Sequence, residues 1–141
     1  MQLSSGEIFL HGGYTYSDRE VSDTHISQDH ASWEKVTSSK TARRYHACTE
    51  VTIHSNHQVW VGGDWDDPSS EIFQLVDGTW TWTDGPDLPN YHYYAGQLVA
   101  NNGDLLYSGG YGNTNIYQLK DDWRTQQDAW TEVSSYLTLA C

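Results

Sequence analysis

No stretch of this 141-residue chain approaches the roughly 18 consecutive apolar residues that a membrane-spanning helix needs. Basic residues are scarce: seven Lys and Arg stand against nineteen Asp and Glu, a net charge of −12 with histidines neutral. A nucleic-acid backbone or an anionic membrane surface would be repelled over most of such a surface, so neither is expected as a partner. Cysteine is rare as well. Cys48 and Cys141 can close at most one bridge, too few for a disulfide scaffold, and whether they are thiols or bridged stays open. Met1 is followed within a few residues by Gly6 and Glu7, which does not read as a signal peptide, so a cytoplasmic protein and a mature or partial extracellular one both remain. Catalytic signatures are missing too. There is no Gly-x-Ser-x-Gly nucleophile motif and no glycine loop with Lys and Ser or Thr for phosphate. The carboxylate pairs Asp66/Asp67 and Asp121/Asp122 are adjacent and would alternate faces in an extended strand. The chain reads as a non-enzyme without a cofactor.

What the chain does have is aromatic residues, at 13%, with only 18% charged. That balance predicts a folded chain, of a length suited to one domain. Three glycine pairs, Gly12-Gly13, Gly62-Gly63 and Gly109-Gly110, each close a short apolar run, and they lie 50 and 47 residues apart. From the second glycine to a later tryptophan the distance is 20, 19 and 20 residues, reaching Trp33, Trp82 and Trp130. Runs rich in β-branched and aromatic residues, stopped by glycines, read as strands. A further strand falls between doublet and tryptophan at Ile72-Phe73-Gln74-Leu75 and Ile116-Tyr117-Gln118-Leu119, weakly echoed by His25-Ile26-Ser27-Gln28. Residues 45–51 and 91–99 supply a strand ahead of the second and third doublets. The prediction is all-β, built of four-stranded antiparallel meanders.

This repeat, with a glycine doublet after its second strand and a tryptophan about twenty residues on, resembles the kelch repeat, whose units are blades of β-propellers. The Arg and His that the family carries ahead of the first strand are matched by Arg43 or Arg44 with His46, and in the third unit by His92 alone. The resemblance implies about three blades: an incomplete one at 1–40, holding strands two to four, and whole ones at 41–88 and 89–135. The tail at 136–141 is a possible ring-closing strand for the first. Kelch propellers close with about five to seven blades, so three would be a partial propeller or half of a two-chain ring, a homodimer. Trp33, Trp82 and Trp130 are expected between blades. Trp80 shares a strand face with Trp82, in a deeper core or an exposed patch.

The same resemblance implies a noncatalytic protein-binding scaffold. Its binding face would be built from loops joining second to third strands and from interblade loops. The first class offers Tyr14, Tyr16, Asp18 and Arg19, then Asp64, Trp65, Asp66 and Asp67, then Tyr111 and Asn113. The second offers Arg43, Arg44, Tyr45, Asn90, Tyr91 and His92. Tyr- and Trp-rich composition is that of binding hot spots, and the net charge suits a protein partner with a basic segment. Trp65, set among acids, also suits a glycan. The acids around it lack the order of a calcium loop, and none of the seven histidines makes a zinc spacing with two cysteines, so no metal is expected. The alternative function is a carbohydrate-binding or metal-dependent enzyme of the galactose-oxidase type. Copper oxidases on kelch propellers use tyrosines, histidines and a cysteine, for which Tyr45, His46, Cys48, Tyr91 and His92 are the ingredients here.

Overall fold

The computed structural model describes residues 1–17, 19–53, 56–91, 93–120, 122–124 and 128–134, with Ile53 and Ser134 described by backbone alone. The described residues hold eleven strands and no helix. β1 (Ile8–His11), β2 (Thr24–Ser27) and β3 (Glu34–Lys35) form a first antiparallel sheet. A central sheet follows the chain as β4 (Ala47–Ile53), β5 (Asn56–Gly62), β6 (Ser70–Val76) and β7 (Thr79–Asp84). The third sheet does likewise with β8 (Gly96–Val99), β9 (Leu105–Ser108), β10 (Ile116–Leu119) and β11 (Trp130–Ser134). The fold is thus all-β, in three successive meanders.

Strand periodicity explains how the sheets stack. On the central sheet Val59, Val61 and Phe73 face the first sheet, where Leu3, Phe9 and Ile26 receive them. The intervening Trp60 and Ile72 face the other way, onto Leu105, Tyr107, Tyr117 and Trp130 of the third sheet. A strand covered on both faces loses its polar alternation, and residues Gln58 to Gly62 are accordingly all buried. Asp77 and Gly78, at φ 49° and 76°, close the β6–β7 hairpin with the paired positive φ values that match strand twist.

Three details depart from the sequence reading. The strand expected over 91–99 begins only at Gly96, because Tyr94 at φ 59° turns the chain out of the extended path. Trp33 precedes a two-residue strand and stays 49% exposed, while Trp130 is buried and Trp82 packs on Phe73 at 5.0 Å between ring centroids. The edge of β1 opposite β2 is occupied along Ile8 and Phe9 by the N-terminus itself. The Met1 amine donates to the Phe9 carbonyl and the Phe9 N–H to the Met1 carbonyl, each at 2.8 Å, and Gln2 bridges Ile8. The tail at 136–141, assigned to that edge from sequence, lies outside the described residues.

Candidate aromatic binding face

Two chain segments run ahead of first strands, Arg43 to His46 before β4 and Asn90 to Ala95 before β8. Backbone bonds tie them to their neighbours. Gly13 N–H donates to the Arg43 carbonyl at 2.8 Å, Tyr94 N–H to Tyr45 at 3.0 Å, and Tyr111 N–H to Tyr93 at 3.0 Å. With the β5–β6 connection they present a continuous row of rings. The Arg44 guanidinium lies 4.8 Å from the Tyr14 ring, 5.6 Å from Tyr45 and 5.8 Å from Trp65. Tyr45 meets Tyr94 at 4.5 Å, Tyr94 meets Tyr93 at 5.5 Å, and Tyr93 meets Trp65 at 4.5 Å and Tyr111 at 5.3 Å. Trp65 is 49% and Tyr111 73% exposed, so these contacts form a surface and not a core. Between Trp65, Tyr91, Tyr93 and Tyr111 runs a groove of about 520 Å³, floored by Asn90 and residues 112–115.

The loop that carries Trp65 is held from below. Asp64 is 1% exposed and accepts the Trp65 N–H at 2.6 Å and, more weakly, the Arg44 N–H at 3.5 Å. Asp67 accepts the Ser69 N–H at 2.8 Å. Arg44 pairs with Glu20 at 2.8 Å. Hydrogen bonding to Tyr45 first, then burial, raises the Tyr94 phenol above its ordinary range, while burial and Tyr111 raise that of Tyr93. Both phenols keep their protons at neutral pH, that of Tyr94 engaged with Tyr45.

The structure unites Tyr14, Arg44, Tyr45, Trp65, Tyr91, Tyr111 and Asn113 on one face. Tyr16, Arg19 and Asp66 are exposed there or nearby but make none of these ring contacts. Two of the expected binding residues are not surface groups. Arg43 has no exposed side-chain area: its guanidinium donates to the Ser69 carbonyl at 2.9 Å and hydroxyl at 2.7 Å and pairs with buried Glu71 at 3.2 Å. Asp64 is the turn acceptor just described, and not a solvated acid. His92 and Asp18 lie outside the described residues. Sequence reasoning missed Tyr93 and Tyr94, which the run Tyr91-His92-Tyr93-Tyr94 could have signalled had it not been assigned to a strand.

A larger hollow of about 890 Å³ lies at the opposite end of the central sheet, among Ser4, His57, Asp77 and Trp80. Ser4 Oγ and Glu50 Oε1 approach the same His57 nitrogen, Nδ1, at 3.2 and 3.3 Å, so the imidazole does not relay between nucleophile and acid. Trp80 stacks on Phe73 there at 4.7 Å and 7°, half-buried and, like Trp82, packed against the core between first and central sheets.

Nor do the described residues fit a copper centre. His46 turns inward to His11, and Cys48 packs against the core between the first and central sheets with its thiol raised by burial. No three His, Cys, Asp or Glu side chains among the described residues gather closely enough to hold a metal.

No family model matches the chain, and no curated protein matches it in sequence. Among solved structures, a fungal alcohol oxidase of the AA5 family, determined in complex with copper, matches with a TM-score of 0.63 at 11% identity. The match covers 91% of this chain and 28% of that one, so the chain spans little more than a quarter of the oxidase's length. At that identity the likeness is one of fold.

Proposed function

We propose that this chain is a noncatalytic binding module of kelch-type β-propeller blades, which engages a protein partner through the aromatic face. The observation that carries the reading is the unbroken row from Tyr14 through Arg44, Tyr45, Tyr94 and Tyr93 to Trp65 and Tyr111, exposed at all but half-buried Arg44 and Tyr93 and braced by backbone hydrogen bonds. Exposed tyrosine and tryptophan held rigidly bury large area at low entropic cost, which is how hot spots concentrate affinity. The net charge of −12 favours a partner with a basic segment. The repeated glycine doublets and four-stranded meanders support the blade assignment.

The test is affinity capture with the wild-type chain and with Trp65→Ala in parallel, after circular dichroism has established that both fold. Proteins retained by the wild type should be lost or weakened tenfold, about 1.4 kcal/mol, with the variant. Identical retention by the two would mean that the face is not the binding surface. An oxidase reading has in its favour only the likeness in fold to the copper enzyme. Stoichiometric copper, measured by mass spectrometry on the purified chain after loading and dialysis, would revive it.

A further inference from the structure

The groove beside Trp65 differs from the grooves that receive helices, strands or sugars. Helix-binding grooves are lined by aliphatic side chains, whereas this one is walled by Trp65, Tyr91, Tyr93 and Tyr111. A strand would need unpaired backbone groups along an edge, but the Tyr94 and Tyr111 N–H groups are already bonded to Tyr45 and Tyr93. A sugar needs several amides or carboxylates turned outward around the stacking ring, and here the asparagines of the floor are bonded within it. Asn90 and Asn115 both donate to the Tyr117 hydroxyl, at 3.1 and 3.0 Å. Asn115 also reaches Glu132 at 3.2 Å, and Asn113 Oδ1 accepts the Asn115 N–H at 2.8 Å.

What remains outward is a set of ring faces with phenol and indole donors at their rims, with exposed Asp66 next to Trp65 in the chain. A polyproline II segment is the complement of that set. It carries apolar prolyl rings that fit between aromatic walls, and its backbone carbonyls have no internal partners. Resting on the binding-module reading above, we propose that the groove binds a proline-rich segment in polyproline II conformation, flanked by Lys or Arg. The rings supply slots for prolines, the phenol and indole groups donate to carbonyls, and the acidic surface holds the basic flank. The segment enters already extended, so little ordering entropy is lost on docking.

The experiment is selection of a phage-displayed random decapeptide library on the immobilised chain, repeated on Trp65→Ala and on Tyr111→Ala, the most exposed aromatic of the groove. The wild-type pool should be enriched in prolines about three residues apart with adjacent Lys or Arg. A synthetic consensus peptide should lose at least tenfold in affinity when its prolines become alanine or when either variant is used. A wild-type pool that differs from the variant pools but carries no proline enrichment would overturn the polyproline assignment and leave the binding face standing. Pools that do not differ between wild type and both variants would overturn both.

Discussion

Tyr45 and Tyr94 occupy the same place in successive units, two residues ahead of β4 and β8, and both adopt the left-handed conformation, at φ 56° and 59°. Their rings meet at 4.5 Å and Tyr94 N–H donates to the Tyr45 carbonyl at 3.0 Å. A left-handed tyrosine costs roughly 1 to 2 kcal/mol, which asparagine largely avoids. Losing the ring contacts costs about as much. Tyr94→Asn should therefore stay within about 1 kcal/mol of the wild type in urea denaturation while partner affinity falls at least tenfold. A stability loss above about 2 kcal/mol would make the ring a packing element instead.

Arg43 shows the reverse relation between binding and stability. Its pairing with Glu71, at 3.2 Å with neither side chain more than 3% exposed, sits where Glu71 also accepts the Lys40 and Thr41 N–H groups. Removing one partner of a buried pair strands the other charge, at about 3 to 5 kcal/mol. Arg43→Met should cost that much, yet leave the affinity of the folded fraction unchanged. Lost affinity with intact stability would return Arg43 to the binding face.

The repeat tryptophans should separate in the same assay. Trp82 contacts Phe9, Phe73 and His11 and donates to the Thr37 carbonyl at 3.0 Å, so Trp82→Ala should cost about 3 to 5 kcal/mol. Trp33 lies half-exposed beside a two-residue strand, and Trp33→Ala should stay within about 1 kcal/mol. Equal costs would mean that the first unit packs like the others.

That contrast marks what a single sequence shows of this fold. Apolar runs ended by glycine doublets located β1, β5 and β9, because burial and chain reversal leave strong local signals. That certain loops share a face was an expectation from the kelch resemblance, not from local signals, and the structure brings Tyr14, Arg44, Tyr45, Trp65, Tyr91 and Tyr111 together. Arg43 and Arg44 could not be told apart, since adjacent residues take opposite sides and the sequence does not say which faces Glu71, 28 positions away. Tyr94 leaves the expected strand through a positive φ, and its N–H is bonded to the Tyr45 carbonyl of the preceding unit, a distant contact that local propensity does not signal.

The seam between first and central sheets should respond to pH through His11 and His46. Ser39 has one hydroxyl proton and gives it to the Thr41 carbonyl at 2.7 Å, so His11 Nε2 must donate to Ser39 Oγ at 2.8 Å. His11 Nδ1 is left to accept from His46 Nε2 at 3.4 Å, and His46 Nδ1 is buried without a partner. Adding a proton to either ring places charge in a buried site beside the Arg43 guanidinium. Burial first, then the charges of His46 and Arg43, lowers His11 to about 3, and burial followed by Arg43 lowers His46 to about 4. Because both folded values lie below the ordinary 6.5, the unfolded chain binds more protons as pH falls, and stability drops from about pH 6.5 downward. At pH 5 the loss should be roughly 2 kcal/mol per histidine relative to neutral pH. His46→Gln should remove about half of that slope between pH 7 and 5, a range above most carboxylate titration. An unchanged slope in the double variant His11→Gln/His46→Gln would place the acid sensitivity elsewhere.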